Sequence, residues 1–121
     1  MGQFFGDLVV KLVCDEEGGI WQLQKELSFE SDTGYLITAP IGSITNFLST
    51  PRIPFVFEVL GDRCVKSGTL HDYAYTSKCL PRDEADSLLK EMLLAEGMSN
   101  FEALSCYLAV RLYGESHYGT R

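Results

Sequence analysis

The sequence predicts an α+β fold: an N-terminal antiparallel β-hairpin or sheet packed against about three C-terminal helices. Three observations carry this reading. Residues 20–30 alternate apolar and polar with period two, the mark of a half-buried antiparallel strand. Residues 81–113 carry apolar side chains at helical spacing, divided by Gly97. The change from strand-like to helix-like pattern falls near residue 61, with no Gly/Ser/Pro-rich linker and no internal repeat. One domain over residues 1–121 is the organisation that follows.

A first strand is expected over residues 4–14, with Leu8, Val10, Leu12 and Cys14 on one face. The acidic stretch from Asp15 to Gly19 reads as a turn. In the second strand, Trp21, Leu23, Leu27 and Phe29 share one face, and Gln22, Gln24, Glu26, Ser28 and Glu30 share the other. Lys25 interrupts the apolar face near its middle. Asp32-Thr33-Gly34 is a tight turn, and Tyr35 to Ala39 returns as a third strand to close a hairpin. Residues 40–54 are loop-like, with Pro40, Gly42, Pro51 and Pro54 as breakers. The six residues from Phe55 to Leu60 are too few to separate a strand from a helical turn.

A helix from Arg63 to Tyr75 would place Cys64, Gly68, His71 and Tyr75 on one stripe. The next helix starts near Pro81, a favoured residue at a first helical position. Ala85, Leu88, Leu89, Met92 and Leu93 form its apolar face, and Gly97 stops it. The last helix opens on a capping box, Ser99 with Glu102. Phe101, Leu104, Tyr107, Leu108 and Leu112 form its apolar stripe, and Gly114 ends it. The short link between these two helices implies a helical hairpin.

Composition narrows the function. At 121 residues the chain is too short for a nucleotide-binding enzyme with a separate substrate domain. Its 45% apolar share fills one core and excludes wholesale disorder. The net charge of -7 argues against nucleic acid as a partner. That charge is uneven. Residues 1–60 hold eight acids against three bases, a net of -5, while residues 61–121 hold nine against seven.

The four cysteines, Cys14, Cys64, Cys79 and Cys106, show no C-x2-C spacing and read as free thiols in a reducing compartment. Cys106 falls in an apolar helix pattern and reads as core. The N-terminus lacks the marks of a signal peptide. No apolar run approaches the roughly 18 residues of a transmembrane span. Gly2 lacks the Ser or Thr at residue six that would accompany myristoylation.

The densest chemistry is His71-Asp72-Tyr73-Ala74-Tyr75. On a helix His71 and Tyr75 share a face, one turn apart. Imidazole is the natural proton carrier near neutral pH, and a carboxylate from another element would fix its tautomer. Asp86 on the following helix is the first candidate for that carboxylate and Asp83 the second. Three readings stay open. His71 is a general base oriented by Asp86, with Tyr75 holding the ring or a water and Asp72 helping to bind a cation. Or His71, Asp72 and Asp86 ligate one divalent metal. Or the group is a polar network that fastens two helices, with no cofactor.

A second cluster runs from Thr45 to Arg52 and holds Asn46, Ser49 and Arg52, whose guanidinium fork suits a substrate carboxylate or phosphate, or an internal ion pair with Asp72 or Asp86. Arg82 and Arg111 are further partners for Asp72, Asp83 or Asp86. Ser49 lacks a G-x-S-x-G setting, and the chain has no Walker loop, dinucleotide loop or H-E-x-x-H. His117 falls in the tail and reads as exposed.

These residues also carry a resemblance. The segments Asn46-Phe47-Leu48-Ser49-Thr50-Pro51-Arg52, His71-Asp72-Tyr73-Ala74-Tyr75, Arg82-Asp83-Glu84-Ala85-Asp86 and Tyr107-Leu108-Ala109-Val110-Arg111-Leu112-Tyr113-Gly114 stand in this order. In that order and combination, over roughly residues 34–114, the chain resembles a family of small phage and prophage proteins of unknown function. Asn46 stands where that pattern has Asp. The resemblance implies a phage or prophage origin, expression in a bacterial host cytoplasm, and a place in a virion as the further implication. The function expected on that basis is an accessory or virion-associated protein acting through contacts with a phage or host protein. A narrower resemblance, over five residues, is to secreted phospholipases A2, which carry His-Asp-x-Cys-Tyr on a helix with a distant Asp supporting the His. His71, Asp72 and Tyr75 match, and Ala74 replaces the Cys. The glycine-rich calcium loop and the disulfide density are missing. What that likeness implies is a small His/Asp-dependent hydrolase of an ester or amide, assisted by a divalent metal or not.

Overall fold

The structure, a computed structural model, describes residues 2–15, 20–45 and 65–113. The chain runs through β1 (Gln3–Phe5), β2 (Val10–Cys14), β3 (Ile20–Leu23), β4 (Leu27–Glu30), β5 (Leu36–Ala39) and β6 (Ile44–Thr45). It continues through α1 (Val65–Ser77), α2 (Arg82–Ala95) and α3 (Asn100–Tyr113). The architecture is α+β, with two small antiparallel sheets followed by three helices. The sheets have strand orders β1-β4-β5 and β2-β3-β6.

Both long strands expected from the alternation are broken in two, and the halves belong to different sheets. The breaks have local causes. Gly6 turns the chain at a φ of +94°, between β1 and β2. A Cβ there would sit 2.9 Å from the Glu26 carbonyl oxygen, so only glycine fits this close crossing. Gln24 and Lys25 form a bend between β3 and β4, at the point where Lys25 interrupts the apolar face. The two broken strands remain neighbours across the bend. Phe4 pairs with Phe29 in one sheet, Leu12 with Trp21 in the other, and the Gln24 amide donates to the Val9 carbonyl at 2.7 Å between them.

The β4–β5 hairpin forms at the expected turn. Gly34, at a φ of +88°, donates its amide to the Ser31 carbonyl, and Ser31 donates to Tyr35. Leu27, Phe29, Ile37 and Ala39 point into the core from this sheet. Each large side chain so buried contributes about 1.5–3 kcal/mol. The described part of the loop-like segment, residues 40–45, contains a short strand that the breakers hid. β6 pairs Thr45 with Trp21 and Ile44 with Gln22. The rest of that segment, and Phe55 to Leu60, lie outside the described residues.

α2 is the central helix, packed against both α1 and α3, while α1 covers β4, β5 and β6. Its expected apolar face is the buried one: Ala85, Leu88, Leu89, Met92 and Leu93. It begins directly after Pro81, and Gly97 ends it at a φ of +100°, with Met98 donating back to the Leu93 carbonyl. α3 starts on the predicted capping box. Glu102 donates its amide to Ser99 Oγ at 3.1 Å, and Ser99 donates its own amide to Glu102 Oε1 at 3.3 Å.

The expected apolar stripe of α3 is not its core face. Ala103, Cys106, Ala109 and Val110 are buried, whereas Phe101, Leu104, Leu108 and Leu112 face out. The bulky face of α2 explains the inversion. Leu88, Leu89, Met92 and Leu93 already fill the space between the helices, so the facing residues of α3 must be small. Among the described residues no helix is long and apolar enough to cross a membrane. Cys14, Cys79 and Cys106 are free thiols, and Cys106 is in the core.

Candidate functional site

α1 owes its placement to contacts near its start and at its middle. Near its start, Ser67 donates both its amide and its hydroxyl to Glu96 Oε1, at 2.8 and 2.6 Å. A carboxylate here satisfies an amide that the first helical turn leaves without a partner, and complements the positive helix end. Further along, Thr45 Oγ1 donates to Asp72 Oδ2 at 2.8 Å and ties α1 to β6. Held this way, α1 turns Leu70, His71, Ala74 and Tyr75 inwards.

His71 and Tyr75 meet one turn apart with their rings tilted by 44° and the centroids 4.3 Å apart. Both reach the same carboxylate. Asp86, on the buried side of α2 beside Ala85 and Leu89, is 0% exposed. Its Oδ1 accepts from Tyr75 Oη at 2.6 Å and lies 2.8 Å from His71 Nε2. Its Oδ2 accepts from Arg111 of α3 at 3.0 Å. One carboxylate therefore joins three helices.

Burial pushes the Asp86 carboxyl up, but the hydrogen bond and charge of His71, then the bonds from Tyr75 and Arg111, outweigh it. They hold Asp86 below the usual carboxylate range. Asp86 is thus the anion and acceptor, which makes His71 Nε2 a donor. Burial, followed by the bond to Asp86 and its charge, pushes the Tyr75 hydroxyl far up, so it stays a donor. The bond to Asp86 raises Arg111 further, so its charge is permanent.

Arg82 stands one turn before Asp86, its Nε 4.0 Å from Asp86 Oδ2. That nitrogen is buried with no hydrogen-bond partner among the described residues. Its Nη2 instead donates to the carbonyls of Val110 and Arg111, both at 2.7 Å, and caps the end of α3.

The residues singled out from the sequence divide three ways. His71, Tyr75 and Asp86 converge, with Arg111 as the ion-pair partner. Asp72 goes to Thr45, so His71, Asp72 and Asp86 are not gathered as one ligand set. Among the described residues no group of three or more His, Cys, Asp and Glu side chains is placed to hold a metal ion. Asn46, Ser49, Arg52 and His117 lie outside the described residues. Asp83 is exposed and helps line a cavity of about 290 Å³ between α2 and the β4–β5 turn, with Ser31, Thr33, Tyr35, Glu84 and Glu91.

Sequence reasoning placed Thr45 at the head of the second cluster but missed its bond to Asp72, and it missed Glu96. Thr45 sits in a strand of two residues, too short for periodicity. Glu96 follows α2 and faces a helix start 29 positions earlier, a pairing that no local pattern encodes. It also missed that Arg82 serves carbonyls.

The chain matches the model of a family described as a protein of unknown function, DUF1353, over residues 21–110. The match takes in β3 to β6, α1, α2 and most of α3, and includes His71, Tyr75 and Asp86. No curated protein and no solved structure matches the chain. With most of its length and three members of the polar hub inside the match, the chain belongs to the DUF1353 family.

Proposed function

We propose that the hub is a His–Asp general-base centre and that the protein is a small hydrolase of an ester or amide. One observation carries this reading: His71 Nε2 is committed to an anionic Asp86 whose other donors are Tyr75 and Arg111. The imidazole is thereby fixed in rotation and in tautomer, with Nδ1 as its base.

In the proposed reaction Nδ1 takes a proton from water as the water oxygen bonds to the substrate carbonyl carbon. The tetrahedral intermediate then expels the alcohol or amine, which receives that proton back from Nδ1. Asp86 stays ionised and balances the transient imidazolium. A helix-borne His with Tyr at the fourth following position, both directed to a distant Asp, supports the likeness to the phospholipase A2 arrangement. Asp72 bonded to Thr45 gives no support to its calcium chemistry.

A second reading rests on burial. His71 is 2% exposed, and neither the cavity beside Asp83 nor a second one lined by Ser87, Lys90, Glu91, Leu94 and Tyr107 touches it. On that reading the hub is a clamp, and the protein is a phage or prophage accessory or virion-associated protein working through protein contacts.

The two separate on one set of variants. The wild type, His71→Asn and Asp86→Asn are assayed on chromogenic short-chain esters and anilides, with far-UV circular dichroism as the control for folding. The general-base reading expects turnover by the wild type and its loss in folded His71→Asn. Absence of turnover by the wild type across the panel, or turnover unchanged in His71→Asn, rejects it in favour of the clamp.

A further inference from the structure

α3 carries its large apolar side chains on the face that the other described residues leave exposed. Phe101 is 78% exposed, Leu104 43%, Leu108 50% and Leu112 73%. At 100° per residue these four fall within an arc of roughly 80°, one continuous stripe along a helix about 21 Å long. Together they present roughly 400 Å² of apolar surface, the size at which an exposed patch marks an interaction site.

We propose that this stripe is the contact between two copies of the chain, paired antiparallel about a two-fold axis that passes near the middle of α3. The pattern is self-complementary in that direction. A two-fold between residues 106 and 107 sets Phe101 of one copy against Leu112 of the other, and Leu104 beside Leu108. Large side chains then fill the gaps left by their counterparts, as a closed isologous interface requires.

Area supports a second copy. Two stripes remove roughly 800 Å² of apolar surface. The helix flanks, with Ser105 and Tyr107 half-buried beside the stripe, carry the total past the ~1,000 Å² of a specific interface. Charge supports it as well. The described charges of α3 are one acid and one base, Glu102 and Arg111, and neither is in the stripe. Most of the acidic excess, -5 of -7, belongs to residues 1–60, outside α3. An uncharged stripe also gives no attraction to an anionic membrane or a basic partner.

The test is sedimentation velocity of the whole chain over roughly 1–300 µM, the range in which interfaces near the small end of the specific class associate. The wild type should rise from 13.5 kDa towards twice that mass. Phe101→Glu and Leu108→Glu should each stay at the protomer mass while keeping the wild-type far-UV spectrum. These positions face solvent in the single chain, so the variants retain the fold. A wild type that remains a single protomer throughout overturns the proposal. So does a dimer that both variants preserve, or a mass that climbs past the dimer without a plateau.

Discussion

Replacing Asp86 by Ala strips one carboxylate from three helices at once, and the loss can be worked out donor by donor. His71 Nε2 and Tyr75 Oη are left in a region from which water is excluded. Each buried donor that loses this acceptor costs about 1–3 kcal/mol. Arg111 is a third exposed and turns to solvent, so it adds little. Removing one partner of a buried ion pair gives about 3–5 kcal/mol by a separate route. The two routes agree on about 3–5 kcal/mol, against a total of about 5–15 kcal/mol for a single domain.

Urea titration followed by far-UV circular dichroism measures the loss directly. With a slope of about 1–3 kcal/mol per molar, the midpoint should fall by about 2 M at unchanged slope. The melting temperature should fall by roughly 10–20 °C. Asp86→Asn keeps the shape and one acceptor but loses the charge facing Arg111, so it should lose less than Asp86→Ala. A loss below about 1 kcal/mol in Asp86→Ala, the worth of one ordinary hydrogen bond, would refute the hub as the centre of the helical half.

Three further outcomes follow from the same contacts. Asp86 is held below its unfolded value, so its stabilisation is complete above roughly pH 3.9 and is lost as pH falls through the folded value. Acid titration of unfolding free energy should therefore be steeper below that point in the wild type than in Asp86→Asn, and identical slopes would count against it. Glu96→Ala removes the acceptor at the start of α1 and should cost about 1 kcal/mol in the same urea assay, with Glu96→Gln restoring most of it. Ala103→Leu forces a larger side chain into the seam between α2 and α3 and should cost about 1–3 kcal/mol. A neutral result there would contradict the close approach of those helices.

Legibility from the sequence tracked how much information each face carried. α2 was readable because its polar and apolar residues separate cleanly, and because Pro81 and Gly97 mark its ends. α3 was readable as a helix but not in orientation. It is apolar on two faces, and its core side is written in Ala and Cys, which a search for large apolar residues passes over. The long strands were readable as extended chain. Their division between two sheets depends on Gly6 crossing the Glu26 backbone, a tertiary contact with only a lone glycine as its sign. The pairing of His71 with Asp86 was accessible because α1 and α2 are joined by four residues, which forces them side by side. Thr45 and Glu96 were not, since their partners lie 27 and 29 positions away in the chain.

The partners of Asp86 stand 11, 15 and 25 positions from it. In chain-entropy terms these are short closures, and the longest costs only about 0.7 kcal/mol more than the shortest. Asp72 reaches Thr45 of β6 across 27 positions, but the links to β1 and the β4–β5 turn reach much further, 59 positions from Glu91 to Asp32 and 60 from Lys66 to Gly6. The helical half can therefore complete its own polar centre while β1 and the β4–β5 turn are still undocked. The consequence concerns cooperativity: the inner amides of α1, α2 and α3 should exchange with solvent as one block, at a higher opening free energy than those of β1 and β2.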